Sequence, residues 1–181
     1  LTGFQLDTKV RGTVGVLQCS FDFKGLDGND LESVEIRLSG QGREFIQVFK
    51  RVGNSYLCEL HIPDVSLWWP HTHGTPSLYA ITLAVRAKGA TEDVAFDLGR
   101  VGFRTICVDS SNGNFAVSVN GVPVFCRGAC WSPLDPVTLR ASAQDYKSAI
   151  KQVQTAGMNM LRIPGTMVYE DNAFFDACDE H

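Results

Sequence analysis

The residues able to do chemistry crowd the C-terminal part of the chain. They are Trp131, Asp135 and Arg162, then the carboxylates Glu170, Asp171, Asp176, Asp179 and Glu180. Paired carboxylates can act as general acid and base. These five lie in a helical stretch, where capping and a solvated face are the ordinary roles of acidic side chains. None is assigned to catalysis. The Arg162 guanidinium can hold a carboxylate by two parallel hydrogen bonds and keep it ionised, which on the residues alone points to a structural ion pair. His71-Thr72-His73 offers two imidazoles without a nearby third ligand, so it is expected to be a polar loop and not a metal site. The six cysteines form no CxxC pair, and Arg127-Gly128-Ala129 between Cys126 and Cys130 adds no ligand. They are expected to be reduced thiols used as small core residues, which favours a reducing, cytoplasmic compartment. No cofactor is implied.

Two kinds of element must position these side chains. Up to about residue 107 the chain reads as short strands: Val14–Phe23, Val34 to Leu38, Phe45–Val52, Tyr56–Ile62, Tyr79–Ala87 and Val94–Ile106. Val34, Ile36 and Leu38 alternate with Glu35 and Arg37, as on a strand with one wet face. Asp27-Gly28-Asn29-Asp30 is a turn signal between the first two of these strands. Strands at this spacing suggest an immunoglobulin-like β-sandwich. Residues 115–125 then form a hairpin with Asn120-Gly121 at its tip. Ser142 and Asp145 mark a helix start, Tyr146, Ala149, Ile150 and Val153 share its inner face, and Gly157 ends it. Met158–Ile163 reads as a strand buried on both faces. A second helix follows from about Glu170, with Phe174, Ala177 and Cys178 on one side. Strand, helix, strand, helix implies parallel βα units. Two such units cannot close a barrel.

Composition limits the partners. The chain has 181 residues, a net charge of −4, 44% hydrophobic and 20% charged residues, which describes a folded globular chain. No apolar run approaches the roughly 18 residues of a membrane span, and no basic-then-apolar leader precedes the first strand-like segment. The absence of a Lys/Arg cluster argues against nucleic acid.

A collinear set of motifs then narrows the field. It runs Leu67-Trp68-Trp69-Pro70, Pro76-Ser77-Leu78-Tyr79, Val101-Gly102-Phe103-Arg104-Thr105-Ile106 and Val119–Phe125 with Arg127-Gly128. It continues with Trp131-Ser132-Pro133-Leu134-Asp135, Gly157–Ile163, Val168-Tyr169-Glu170-Asp171 and Phe175-Asp176-x-Cys178-Asp179-Glu180. The sequence over roughly residues 60–181 resembles glycoside hydrolase family 2, and within it the β-mannosidase-like members; residues 1–59 fit by strand pattern only. The resemblance implies a multidomain exo-glycosidase in which sandwich domains precede a catalytic (β/α)8 barrel. Residues 1–107 would be the immunoglobulin-like sandwich and 108–181 the first two βα units of a truncated TIM barrel. It also implies retaining hydrolysis, in which one glutamic acid protonates the leaving oxygen and a second, about 5 Å away, attacks the anomeric carbon. In the family those glutamates follow barrel strands four and seven, so both are expected beyond residue 181 and this chain is expected to be inactive alone.

Given the resemblance, Arg162 becomes an expected active-site neighbour, since it sits at the carboxyl end of the second barrel strand, where barrel sites lie. Trp131 and Asp135 follow the first barrel strand and match a segment lining the pocket for the terminal sugar; packing and a turn are the competing roles. Trp68 and Trp69 are expected to pack a rigid loop against the barrel. One departure bears on specificity: Pro164-Gly165-Thr166-Met167 stands where β-mannosidase-like members commonly have Trp-Gly-Gly-Gly. A β-mannoside is the expected substrate, with β-galactoside, β-glucuronide or glucosaminide open. The rivals to this reading are a carbohydrate-binding module using Trp68 and Trp69, and a structural spacer sandwich. The expected partners are a carbohydrate substrate and the remainder of the protein's own chain.

Overall fold

The computed structural model describes residues 2–24, 30–113 and 115–181. They divide into two compact units, one of residues 1–67 and 77–104, the other of residues 68–76 and 105–181.

The first unit is a β-sandwich. Its strands are β1 (Thr2–Arg11), β2 (Val14–Asp22), β3 (Leu31–Gly40), β4 (Arg43–Val48), β5 (Lys50–Val52), β6 (Ser55–Ile62), β7 (Tyr79–Ala87) and β8 (Val94–Val101). One sheet has the order β1-β2-β6-β5 and the other β4-β3-β7-β8. That is the immunoglobulin arrangement, with β4 as an extra edge strand. Alternation drives it: Val34, Ile36 and Leu38 from one sheet meet Leu17, Cys19, Phe21 and Leu60 from the other in one core. Each such side chain, fully buried, is worth about 1.5–3 kcal/mol. The bounds of β2, β6 and β7 match those expected to within a residue, β3 extends beyond Val34–Leu38 at both ends, and β1 is a strand that the sequence reading did not include. The turn signal over 27–29 lies outside the described residues.

Two expected strands are each interrupted, and packing explains both breaks. The run Phe45–Val52 splits at Phe49, where the chain leaves one sheet for the other. Phe49 is buried, its ring centroid 4.9 Å from that of Phe21, and its N–H donates to Val34 O at 2.8 Å. The crossing therefore leaves this backbone N–H satisfied. The run Val94–Ile106 splits after Val101, because Phe103 turns inward to plug the sandwich against Tyr79, ring centroids 5.4 Å apart. A side chain at Gly15 would meet the Phe103 ring at 2.9 Å, which accounts for a glycine there. Tyr79 opens β7 and its hydroxyl accepts from Ser66 N at 2.9 Å. This bond ties the loop before β7 to the strand at the place where immunoglobulin-like sandwiches carry their tyrosine corner.

The second unit contains β9 (Ile106–Asp109), β10 (Ala116–Val119), β11 (Val122–Val124), β12 (Gly128–Cys130), helix α1 (Ala143–Thr155), β13 (Met160–Arg162) and helix α2 (Asn172–Glu180). Strands β9, β10 and β11 form an antiparallel sheet, and Asn120 and Gly121 at the hairpin tip both have positive φ, as a type I′ turn requires. Strands β12 and β13 are parallel, Gly128 opposite Met160 and Cys130 opposite Arg162. Helix α1 opens on a complete capping box between Ser142 and Asp145, and Gly157 after it has φ 75°. Helix α2 is capped by Asp171, whose side chain accepts from Phe174 N, one of the two roles expected of these carboxylates. The expectation that Met158–Ile163 is buried on both faces fails: the strand is three residues long, with Met160 and Arg162 exposed. Leu161 and Ile163 pack on the helices, while no second layer among the described residues covers the opposite face.

Candidate functional site

The carboxyl ends of β12 and β13 lie side by side, because the two strands are parallel and in register. The loop 131–142 leaves one and the loop 163–171 leaves the other. This is where open α/β sheets and barrels gather functional side chains.

Trp131 is the first residue past β12. Its backbone N–H donates to Arg162 O at 2.8 Å, and its indole Nε1–H donates to Glu170 Oε1 at 2.7 Å. The ring is 7% exposed and packs with Phe174, Tyr146, Ile150 and Ala177. Trp131 is thus a core residue with a polar handle, not an open sugar platform.

Asp135 spends its carboxylate on its own loop. Oδ1 accepts from Val137 N at 2.8 Å and Thr138 N at 3.2 Å, and Oδ2 accepts from the Thr138 hydroxyl at 2.7 Å. These bonds, the Thr138 hydroxyl first, hold its pKa below the ordinary carboxylate value. The Asp135 carbonyl also accepts from Leu139 N. Residues 135–139 are therefore a closed turn.

The Arg162 side chain is exposed, with Nη1 3.8 Å from Sγ of its cross-strand neighbour Cys130. Among the described residues it makes no hydrogen bond to Asp135. The structure therefore ties the Arg162 main chain to Trp131, but links neither side chain directly to Asp135.

Glu170 departs most from expectation. It is 6% exposed, not on a solvated face, and it accepts from two donors, Trp131 Nε1 and the Tyr146 hydroxyl at 2.6 Å. Burial first, and this bond second, push the Tyr146 phenol up to about 12. Neither helical periodicity nor residue type marks Glu170 as buried; the signal available was its place just before the Asp171 cap.

Two asparagines also carry more than turns. Asn159 accepts from Arg127 N at 2.8 Å and donates to Phe125 O and the Thr72 hydroxyl. Asn120 accepts from Thr105 N and donates to Trp68 O, both at 2.9 Å. They seat the 68–76 loop within the second unit. There the Trp68 indole donates to Asp179 O at 2.8 Å, and His71 Nε2 lies 2.7 Å from Met158 O. A carbonyl only accepts, so His71 carries its proton on Nε2. Trp68 and Trp69 are both half-buried, as packing residues are and as an open aromatic platform is not. His71 and His73 serve the loop: His73 Nδ1 pairs with the Thr72 hydroxyl at 2.8 Å. No group of three metal-ligating side chains occurs among the described residues.

The family pattern described as Glycosyl hydrolases family 2 matches residues 4–104, more than half of the chain. The chain belongs to glycosyl hydrolase family 2. The match falls on the sandwich and takes in residues 4–59, where the sequence resemblance had only strand pattern to offer. Among family 2 relatives, the chain is 36% identical over 123 residues to beta-mannosidase B of Neosartorya fischeri, a match covering 66% of this chain and 14% of that protein. Its fold is similar to that of a beta-D-mannosidase from Dictyoglomus thermophilum, with TM-score 0.76 and 25% identity, covering 98% of this chain and 23% of the other. An exo-chitosanase from Amycolatopsis orientalis shares the fold with TM-score 0.73 at 22% identity, covering 98% of this chain and 21% of the other. The match thus spans only a minor part of each family 2 protein.

Proposed function

We propose that this chain is a segment of a retaining exo-β-glycosidase that removes terminal β-linked sugars, with β-mannosides as its substrates. Residues 1–107 act as the immunoglobulin-like sandwich, and residues 108–181 begin the catalytic barrel with β12-α1 and β13-α2 as its first two units. The parallel pairing of β12 with β13 carries this reading, because it sets two βα loops side by side at the carboxyl ends of the strands. The similarity to proteins named beta-mannosidase supports the choice of sugar.

In this reading the exposed Arg162 guanidinium faces the reaction centre and keeps a catalytic carboxylate ionised by a paired hydrogen bond. Asp135 presents its loop to sugar hydroxyls, and Trp131 backs that loop from beneath. The acid/base and nucleophile glutamates lie outside the 181 residues. Hydrolysis follows the double displacement of two carboxyl groups about 5 Å apart, and no step calls for a metal or cofactor.

The test is a comparison of the 181-residue chain with the full-length protein on nitrophenyl β-mannoside, β-galactoside, β-glucuronide and β-glucosaminide. The full-length protein is expected to cleave the mannoside fastest and the isolated chain to cleave none. Turnover by the pure 181-residue chain would sink the assignment of the catalytic glutamates. Faster cleavage of another glycoside would correct the sugar.

A further inference from the structure

Glu170 is a buried carboxylate for which the proposed hydrolysis has no use. An ionised carboxylate only accepts hydrogen bonds, and here it meets two donors on different elements, the indole of Trp131 after β12 and the hydroxyl of Tyr146 in α1. It sits one residue before the α2 cap. Trp131 is bound at both ends, its indole to Glu170 and its backbone N–H to Arg162 O. Past Pro133, the turn closed by Asp135 makes residues 135–139 internally fixed. A displacement of Trp131 would therefore move the start of the loop that leads through residues 132–134 into this turn, and would strain the bond to the end of β13.

We infer that Glu170 is a positioning residue, holding Trp131 and thereby the start of the loop that carries Asp135. What is positioned rests on the sugar-pocket reading above; the positioning itself does not. Glutamine can replace the carboxylate in this role. Its carbonyl oxygen accepts from the indole, and its amide donates to the Tyr146 oxygen, whose hydroxyl rotates to suit. Alanine can do neither. Trp131→Phe keeps ring packing and deletes the bond, which provides a second route if Glu170→Ala fails to fold.

The experiment measures kcat/KM of the full-length protein on a nitrophenyl β-mannoside. Small misplacements of positioning groups cost of order tenfold to hundredfold, so Glu170→Ala and Trp131→Phe are each expected to lose that much. Glu170→Gln should stay within about threefold, and the double variant should be no worse than the poorer single, as for residues acting through one bond. Loss of melting temperature with kcat/KM unchanged in Glu170→Ala would overturn the inference, as would additive losses in the double variant. Should the unmodified full-length protein cleave no aryl β-glycoside, the functional reading fails, and hydrogen exchange on the 181-residue chain decides the positioning. There Glu170→Ala is expected to speed exchange of the Trp131 amide by about tenfold and Glu170→Gln to leave it unchanged. Equal exchange in both variants would overturn it.

Discussion

At the scale of single residues, buried polar groups do most of the specifying. Tyr79 is 1% exposed and its hydroxyl is the acceptor for Ser66 N. Tyr79→Phe should therefore lower stability by about 1 kcal/mol, the net worth of a lost hydrogen bond whose donor water can partly reach, read from urea denaturation of the chain. Ionisable residues give a second outcome, in alkali. Burial pushes Cys19 up to about 12 and Cys58 and Cys178 up to about 11 from an ordinary 9.0, as it does Tyr146 up to about 12 from 10.0. The unfolded chain releases these protons first, so between about pH 9 and 12 it binds fewer than the folded chain and stability falls as pH rises. The urea midpoint is expected to hold level up to about pH 8.5 and then decline; a flat profile to pH 11 would contradict the burial of these thiols. None of these thiols is disulfide-bonded. The tyrosine at the start of β7 belongs to the Pro76-Ser77-Leu78-Tyr79 motif, but its hydroxyl's partner, thirteen residues upstream, is not legible there. Hydrogen bonds between loop and strand depend on where the chain returns, which residue types do not encode.

At the scale of elements, local signals were the most legible. Ser142 with Asp145, Asn120-Gly121 and Gly157 each express a short-range backbone requirement, and each appears where the sequence placed it. Ser142→Ala should cost about 1 kcal/mol by freeing backbone donors at the start of α1, measured from the urea midpoint. Gly128→Ala should do more damage, because its Cβ would overlap the backbone carbonyl oxygen of Met160. The expected result is loss of β12–β13 pairing, seen as rapid exchange of the Trp131 amide. The strand runs misread in the sequence, Phe45–Val52 and Val94–Ile106, fail for one reason. An apolar β-rich run continues across Phe49 and Phe103, and only the demand of the sandwich core for those two rings breaks it.

At the scale of the whole molecule, the second unit draws on a segment that lies within the sandwich in sequence. Residues 68–76 are held there by Trp68 to Asp179 O, His71 to Met158 O and Asn120 to Trp68 O. Replacing them with a short Gly-Ser link is expected to accelerate hydrogen exchange in α2 and β13 while the core amides of β2, β6 and β7 stay protected. Unchanged exchange in α2 would show that these bonds contribute little. No helix is long and apolar enough to cross a membrane.

The sequence by itself determined the strand alternation that makes a sandwich, the caps and turns that bound α1 and the β10–β11 hairpin, and the βαβα order. Those follow from periods of two and 3.6 residues and from backbone preferences that act over a few positions. Tertiary structure decided the rest. It turned Trp131 into a buried anchor, closed Asp135 onto its own loop and left the Arg162 side chain exposed. It also moved Glu170 from an expected wet helix face to a dry site between two donors. A carboxylate's burial is set by what the rest of the chain packs around it, and that is a property of the fold, not of any local window.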